Sequence, residues 1–444
     1  MKRASVVVDL GFGDAGKGTV VDFLVRDRSA HTVVRFNGGA QAGHNVVTAD
    51  GAHHTFSQLG ARTFSAGVAT HLSRFVVVHP TALLVEDERI RAAGVRDALS
   101  RVTMHEAALV TTPHAQALGR LRELSRGDAP HGTTGVGVGE TMRIALEEPG
   151  LAVRVADLHR PAALRRTLAR LRDYAAAQAG PLSSLDARAR KEREALLAPA
   201  TIEAWLEAIA PLLRRDIMVG DEHLAELLAG PGEIVFEGAQ GVLLDEWRGF
   251  HPYTTWSTCT TQNALTLLGG YDGTIERFGV TRTYGTRHGA GPFPTEIDGL
   301  EAASEPHNVD VGWQGRFRRG RLDLPLLRYA LACSEVDALA LTHLDRITPG
   351  WMACTDYEGL SVPLRPAADP HDLVHAERLG EALSRVAPVL SRTPDRFEEW
   401  LEDQLELPVT LTSAGPRACD KSWRGSVPSL RRLAAPATCA PASP

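Results

Sequence analysis

The stretch that decides the fold is Ala4-Ser5-Val6-Val7-Val8-Asp9-Leu10-Gly11-Phe12-Gly13-Asp14-Ala15-Gly16-Lys17-Gly18-Thr19, followed by the helical run Val20 to Arg26. An apolar strand enters a glycine-rich turn and leaves as a helix, the order of a phosphate-binding loop. Glycines let backbone N–H groups converge on phosphate oxygens, the helix offers its positive N-terminus, and Lys17 adds a point charge. Asp14 is the unusual residue. A carboxylate set against polyanionic phosphate is repelled unless Mg²⁺ lies between them, or unless it removes a proton from a second substrate held beside the terminal phosphate. The spacing G-x-x-x-x-G-K is that of a P-loop, yet Gly18 stands where such loops place the Ser or Thr that binds magnesium. Chemistry at the phosphate is therefore expected in place of a plain GTPase switch.

Outward from this loop, apolar runs recur at Thr32 to Phe36, Arg74 to His79, Ala107 to Thr111, Glu233 to Phe236, Phe278 to Thr283 and Ala338 to Thr342. Several are apolar on both faces and alternate with helical patterns, which implies an α/β fold with a large, mostly parallel central sheet flanked by helices. The segment Arg160 to Leu213, rich in Ala, Leu, Arg and Glu with Leu164, Leu168 and Leu171 at helical spacing, reads as a helical insertion of about 158–215. Residues 1–433 are expected to form one domain, and the Ala/Pro-rich tail 434–444 to be disordered. With 444 residues and 43% hydrophobic content, the chain can bury a core of that size. The net charge of −6 gives no basic bias for nucleic acid. Five scattered cysteines without C-x-x-C spacing suggest neither a disulfide framework nor a zinc site and fit a reducing cytoplasm. No signal peptide or apolar run of membrane-spanning length is seen, so a soluble, cytoplasmic protein with no membrane partner is expected.

Further clusters fall at the ends of these strands. Arg35 to Asn45 runs into Gly38, Gly39 and Gly43, bringing His44 where it can donate to a phosphoryl oxygen. Phe236-Glu237-Gly238-Ala239-Gln240-Gly241 ends a strand where α/β sheets gather ligands, and Gln240 can read a base edge. Gly132-Thr133-Thr134-Gly135 offers hydroxyls and turn amides to an anion. Leu339 to Asp345 delivers a carboxylate, Asp345, able to accept together from the N1–H and 2-amino groups of guanine. Leu411 to Pro416 is a second strand-to-turn. Gly315 to Arg321 clusters four guanidiniums in a glycine-containing loop suited to carboxylate or phosphate.

In this order the clusters resemble adenylosuccinate synthetase along nearly the whole chain. The matching segments are Gly13 to Thr19, Gln41 to Asn45, Gly132 to Gly137, Phe236 to Gly241, Pro252 to Thr255, Gly289 to Glu296, Trp313 to Arg316, Thr342 to Asp345 and Ser413 to Pro416. The resemblance implies a GTP-dependent ligase that joins L-aspartate to C6 of inosine monophosphate (IMP) through a 6-phosphoryl intermediate. It implies Asp14 as the base at N1, His44 as the group that stabilises phosphoryl transfer, and Gln240 as a third catalytic position. GTP would be held by Gly13, Ala15, Gly16, Lys17, Gly18, Thr19, Asn45, Arg318, His343, Asp345, Ser413 and Gly415. Gln41, Thr134, Thr255, Gln314 and Arg316 would contact the purine nucleotide and the amino acid, and Mg²⁺ would sit on Asp14 and the Gly43 carbonyl. Small-molecule substrates and a homodimer with an arginine crossing its interface follow from the same resemblance.

Departures from the family pattern are Ala15 for Glu, Thr19 for Lys, Gln41 for Asn, Val136 for Arg, Trp313 and Gln314 for two threonines, and His343 for Lys. No arginine matches the interface position near Glu147 to Gly150, where Arg143 and Arg154 are the nearest. Proton abstraction and phosphoryl transfer are expected to be retained, and the 5′-phosphate and aspartate contacts rebuilt. Two alternatives follow: a paralogue running the same chemistry on a different purine-like acceptor or amine, and a GTP-binding regulator without catalysis.

Overall fold

The computed structural model describes residues 2–180, 186–213, 216–298, 300 and 313–428. The tail 434–444 expected to be disordered lies outside the described residues. The central sheet has ten strands in the spatial order Lys421–Trp423, Val409–Ser413, Ala338–Thr342, Thr274–Arg282, Lys2–Asp9, Gly232–Glu237, Thr32–Arg35, Ala69–Leu72, Val102–His105 and Met218–Val219. Every pairing is parallel except the one between Lys421–Trp423 and Val409–Ser413.

Alternation along the strands builds two cores. Val7, Val33 and Val235 face the helix Lys17–Arg28, with Val20, Val21, Leu24 and Val25 packed beneath them. Val6, Val8, Val34, Phe36 and Phe236 face the other way, onto Leu224, Ala264 and Leu267. A parallel sheet buried on both sides explains why its strands read as unbroken apolar runs. Each such side chain contributes about 1.5–3 kcal/mol on burial, so the sheet centre is a rigid platform. Its carboxyl edge carries the polar residues: Val7 is level with Glu237, which is level with Arg35, and Arg282 is level with Thr342. That edge is where open α/β sheets place ligands.

A second sheet, in the order Tyr284–His288, Phe317–Asp323, Met352–Glu358 and Ala387–Arg392, adjoins the first. Residues Pro161–Ala179, Ala187–Leu197 and Ala200–Leu213 form three helices, with Leu164, Leu168 and Leu171 buried. Among the described residues no single helix is long and apolar enough to cross a membrane.

Three local expectations are corrected. The runs at 74–79 and 107–111 contribute only Val77–Val78 and Leu109–Val110, paired with each other outside the main sheet. Pro80 and Pro113 open helices directly after them and shorten both strands. The arginine-rich run Gly315 to Arg321 is mostly strand, not loop: Phe317–Asp323 pairs with Tyr284–His288.

Candidate active site

The loop after Lys2–Asp9 is shaped by a residue that sequence reading overlooked. Asp9 accepts from the Gly11 N–H at 2.8 Å and, both buried, from the Ala15 N–H at 2.8 Å and Lys17 Nζ at 2.9 Å. The Ala15 N–H thus helps to close the loop. Lys17 carries three N–H donors, so its contact with Asp9 leaves two for a ligand. Gly13 and Gly16 take positive φ of 96° and 95°, and Asp14 follows suit at 60°. The backbone strain at Asp14 is held by Arg282, whose Nε donates to the Asp14 carbonyl. Its carboxylate, 28% exposed, meets Nε2 of His288 at 3.1 Å. Burial pushes the Asp14 carboxyl up, but the hydrogen bond and charge of His288, with Arg282 and Lys17, outweigh it and hold the group below the ordinary carboxylate value. It is therefore ionised at neutral pH, as a base requires.

Glycine contacts draw the other clusters onto this loop. A Cβ on Gly18 would lie 2.7 Å from His44 Cβ, so the His44 backbone rests directly on the helix start. This explains why Gly18 replaces the expected Ser or Thr. His44 Nδ1 meets Glu237 Oε1 at 2.6 Å, and Glu237 Oε2 accepts from the Ala61 N–H at 3.0 Å. Burial lowers the His44 pKa and the Glu237 carboxylate opposes this, with Arg35 and Lys17 adding to the lowering. The imidazole is thus oriented by a buried anion yet biased toward its neutral form. Gly241 abuts Gly11, and Gln240 lies against Gly13 and Gly38. Gln240 has a positive φ of 57°, and among the described residues its buried Oε1 has no hydrogen-bond partner. Both polar atoms of Gln41 are likewise buried and unpartnered. Unsatisfied buried amides beside a glycine-lined cleft are ready for the edges of a heterocycle.

On the far side, Thr342 Oγ1 donates to the Ala15 carbonyl at 2.7 Å and Thr19 Oγ1 to the Pro416 carbonyl at 2.8 Å. These bonds fix the phosphate loop between the turns carrying Asp345 and Ser413 to Gly415. Lys421 Nζ donates to the Gly415 and Arg417 carbonyls at 3.0 and 2.8 Å. His343, also at positive φ, is held well below the usual histidine pKa by burial and then by Arg282, Arg346 and Lys421. It is neutral near pH 7 and does not restore the charge of the family lysine. Asn45 lies in the antiparallel pair formed by His44–Val47 and His53–Phe56, its Oδ1 accepting from Thr55 Oγ1 at 2.6 Å.

The arginine strand is anchored through Glu296, which meets Arg316 at 2.7 Å and Arg318 at 2.5 Å. Arg318 also donates to the Gly289 and Gly291 carbonyls; Arg316 is 62% exposed. Gly132 lies against the Gln314 carbonyl and Gly135 against the Trp313 ring, where a Cβ would come within 2.6 Å. Arg188 and Arg120 stack on that ring at 4.4 and 5.6 Å. The Thr134 turn and the rebuilt 313–316 turn therefore form one wall, and Thr255, through its N–H to the Leu244 carbonyl, lies on a neighbouring loop. Arg143 pairs with Glu140 and Glu147, and Arg154 donates to the Ala107 carbonyl, so both nearest substitutes for the interface arginine have partners within the chain.

For a metal, the described residues hold no cluster of three His, Cys, Asp or Glu side chains. One carboxylate, Asp14, and the carbonyl of Gly43, the residue before the His44 that rests on Gly18, are hard oxygen donors of the kind Mg²⁺ uses when substrate phosphates complete its shell. The donor set fits. Three residues missing from the sequence-based site are Asp9, Glu237 and His288. Glu237 lay inside a recognised motif and His288 just before one, but only the folded chain shows what each touches.

The family model for adenylosuccinate synthetase matches residues 6–420. Adenylosuccinate synthetase of Chlorobium chlorochromatii is 32% identical over 440 residues, covering 93% of this chain and 95% of that protein. The Salinibacter ruber enzyme of the same name is 33% identical over 441 residues, covering 93% and 96%. Fully ligated adenylosuccinate synthetase from Plasmodium falciparum superposes with a TM-score of 0.77 at 21% identity, over 95% of this chain and 99% of that one. Cyanophage S-2L succinoaminodeoxyadenylate synthetase, bound to dGMP and dATP, gives 0.58 at 18% identity, over 96% of each. The two structures share the fold.

Proposed function

The chain belongs to the adenylosuccinate synthetase family, and on that premise we propose that it is a GTP-dependent carbon–nitrogen ligase converting IMP, L-aspartate and GTP into adenylosuccinate, GDP and phosphate. The observation that carries the reading is Asp14, an ionised carboxylate at the tip of the phosphate loop, with His44 resting on the start of the same helix and Gln240 on the same glycines. Asp14 takes the proton from N1 of the purine and the electron pair moves to O6. That oxygen attacks the γ-phosphorus as the bond to the β-phosphate oxygen breaks and GDP leaves. The aspartate amine then adds at C6 and loses a proton to solvent, the C6–O bond breaks, and its electron pair leaves with phosphate. His44, its Nδ1–H held by Glu237, donates from Nε2 to the oxygen on which charge gathers as the imidazolium, the form that incoming phosphates favour; base and acid contributions of this kind are each worth about 10²- to 10⁴-fold. Mg²⁺ bound by Asp14 and Gly43 would screen the phosphates from the carboxylate.

The GTP contacts are assigned to Gly13, Ala15, Gly16, Lys17, Gly18, Thr19, Asn45, Arg318, His343, Asp345, Ser413 and Gly415. The acceptor and amine contacts are assigned to Gln41, Thr134, Thr255, Gln314 and Arg316. We further infer one domain over residues 1–433, because loops from both sheets and the helical layer meet at the site, and a cytoplasmic homodimer as implied by the family resemblance.

The test is phosphate release from GTP measured with IMP and aspartate present together and singly, in wild type and Asp14→Asn. Release requiring both substrates, and lost by at least about 10²-fold in the variant, supports the reading; release indifferent to IMP sinks it. One observation favours a second reading. Trp313 stands against Gly135 at the family's aspartate loop, so deoxyguanosine monophosphate, free nucleosides and other amines belong in the same assay. Faster turnover with any of them would make the protein a paralogue with altered substrates.

A further inference from the structure

Among the described residues, His288 is the side chain that reaches the carboxylate of Asp14 from the second sheet. It ends the strand Tyr284–His288, directly opposite Phe317 in the neighbouring strand, and the two rings lie 4.8 Å apart between centroids. That contact fixes the plane of the imidazole. The same strand grips the loop one residue earlier, where Thr286 Oγ1 approaches the Gly13 carbonyl at 3.4 Å. Arg282, at the end of the preceding strand, donates to the Asp14 carbonyl. Asp14 is thus held twice, by its backbone from one strand and by its carboxylate from the next. The imidazole is 21% exposed, so the bond from Nε2 to Oδ2 is only partly open to competing water.

We propose, building on the reading of Asp14 as the base, that His288 is a positioning residue for it: the Nε2–H holds Oδ2 so that Oδ1 is presented to N1 of the purine. The physical need is clear. The terminal torsion of an aspartate is broad and roughly two-fold, so an untethered carboxylate spreads its oxygens over many orientations. Proton abstraction requires one oxygen within hydrogen-bond reach of N1, and a site loses rate steeply when its groups wander by about 1 Å. A donor on a rigid strand removes that freedom. Each carboxylate oxygen has two acceptor sites, so this bond and coordination of Mg²⁺ by Asp14 do not exclude each other.

The experiment compares wild type with His288→Ala and His288→Gln, the amide nitrogen of Gln reaching about as far as Nε2. Three quantities are measured: kcat and KM, exchange of bridging and non-bridging β,γ-oxygens of labelled GTP with purine nucleotide but no amine, and the imidazole nitrogen spectrum. His288→Ala should lower kcat by about 10- to 100-fold with KM for GTP and IMP within about threefold. Oxygen exchange should fall by the same factor, which places the loss at phosphoryl transfer, and His288→Gln should recover most of it. Asp14→Asn should shift the His288 nitrogen signals, identified by their loss in His288→Ala. The proposal is overturned if His288→Ala keeps kcat within twofold, if Gln is as impaired as Ala, if exchange is untouched while net turnover drops, or if the Asp14→Asn spectrum leaves His288 unmoved. Failure of the wild type to turn over IMP would overturn the functional reading, and is told apart because the nitrogen spectrum reports on the contact without any substrate.

Discussion

Gly18→Ala is the substitution that probes the site most directly. The new Cβ would stand 2.7 Å from His44 Cβ and 3.1 Å from its Cα and carbonyl carbon. Carbon atoms settle at about 3.5–4.0 Å, so the His44 segment must retreat by roughly 0.8 Å. These are the Cβ and backbone atoms of a strand residue, not the end of a flexible side chain, and cannot swing aside. If that shift fell along the 2.6 Å bond from His44 to Glu237, the bond would stretch to about 3.4 Å, the edge of useful hydrogen bonding. Overpacking costs about 1–3 kcal/mol, and replacing Gly by Ala in a helix returns up to about 1 kcal/mol. The net loss of stability is therefore small, about 0–2 kcal/mol. Displacing a catalytic group by this distance costs about 10²-fold in rate. Steady-state kinetics beside thermal melting should reveal a variant that melts within a few degrees of wild type yet has lost most of its kcat. Gly18→Ser, which restores the usual P-loop residue, should fail in the same way. A Gly18→Ala protein with wild-type kcat and a raised melting temperature would refute the proposed contact.

Two further outcomes follow from buried carboxylates. Glu237→Gln removes the anion that orients His44 but keeps an acceptor for the Ala61 N–H, so kcat should fall at least about 10-fold with KM for GTP unchanged; an unaltered kcat would show that His44 needs no such partner. Asp323, which accepts from Tyr357 Oη at 2.7 and 2.6 Å, is pushed up to about 7 by burial, against the hydrogen bonds from Tyr357, Leu326 and Thr295. Its folded pKa lies above the unfolded one, so the native state binds the extra proton and stability falls as pH rises from about 4 to about 7, by up to about 4 kcal/mol. In urea titrations Asp323→Asn should gain on wild type between pH 5 and pH 8; a gap between the two proteins that does not change with pH would contradict this.

The fold was legible where one physical rule governs a whole segment. Val6, Val7 and Val8 are apolar in succession because the strand is covered on both faces, and the glycines at 11, 13 and 16 mark a turn whichever way the rest of the chain folds. Helices at Lys17–Arg28 and Pro161–Ala179 carried their own periodicity. The strand Phe317–Asp323 did not. Its arginines mimic a solvated loop, and only folding brings Glu296 to Arg318 and sets the Phe293 and Phe317 rings beneath Arg318 and Arg319. The inner strand Ala69–Leu72, with Thr70 and His71 buried, likewise gives no apolar signal.

The site divides along the same line. Asp14, His44 and Gln240 could be named from sequence because each sits in a glycine-flanked turn, where a reactive side chain can approach a ligand. The residues that support them, Glu237 on His44, His288 on Asp14 and Asp9 beneath the phosphate loop, could not be assigned, because a supporting residue is defined by distance alone and need carry no local signature. Asp9 shows the consequence. It occupies the last position of the first strand, and sequence alone leaves it as a polar end to an apolar run. In the folded chain it closes the phosphate loop by taking two amides and Lys17, which fixes where the Asp14 backbone emerges. The geometry of the base thus rests on carboxylates that never meet substrate, and substitutions there should be read as losses of position before they are read as losses of chemistry.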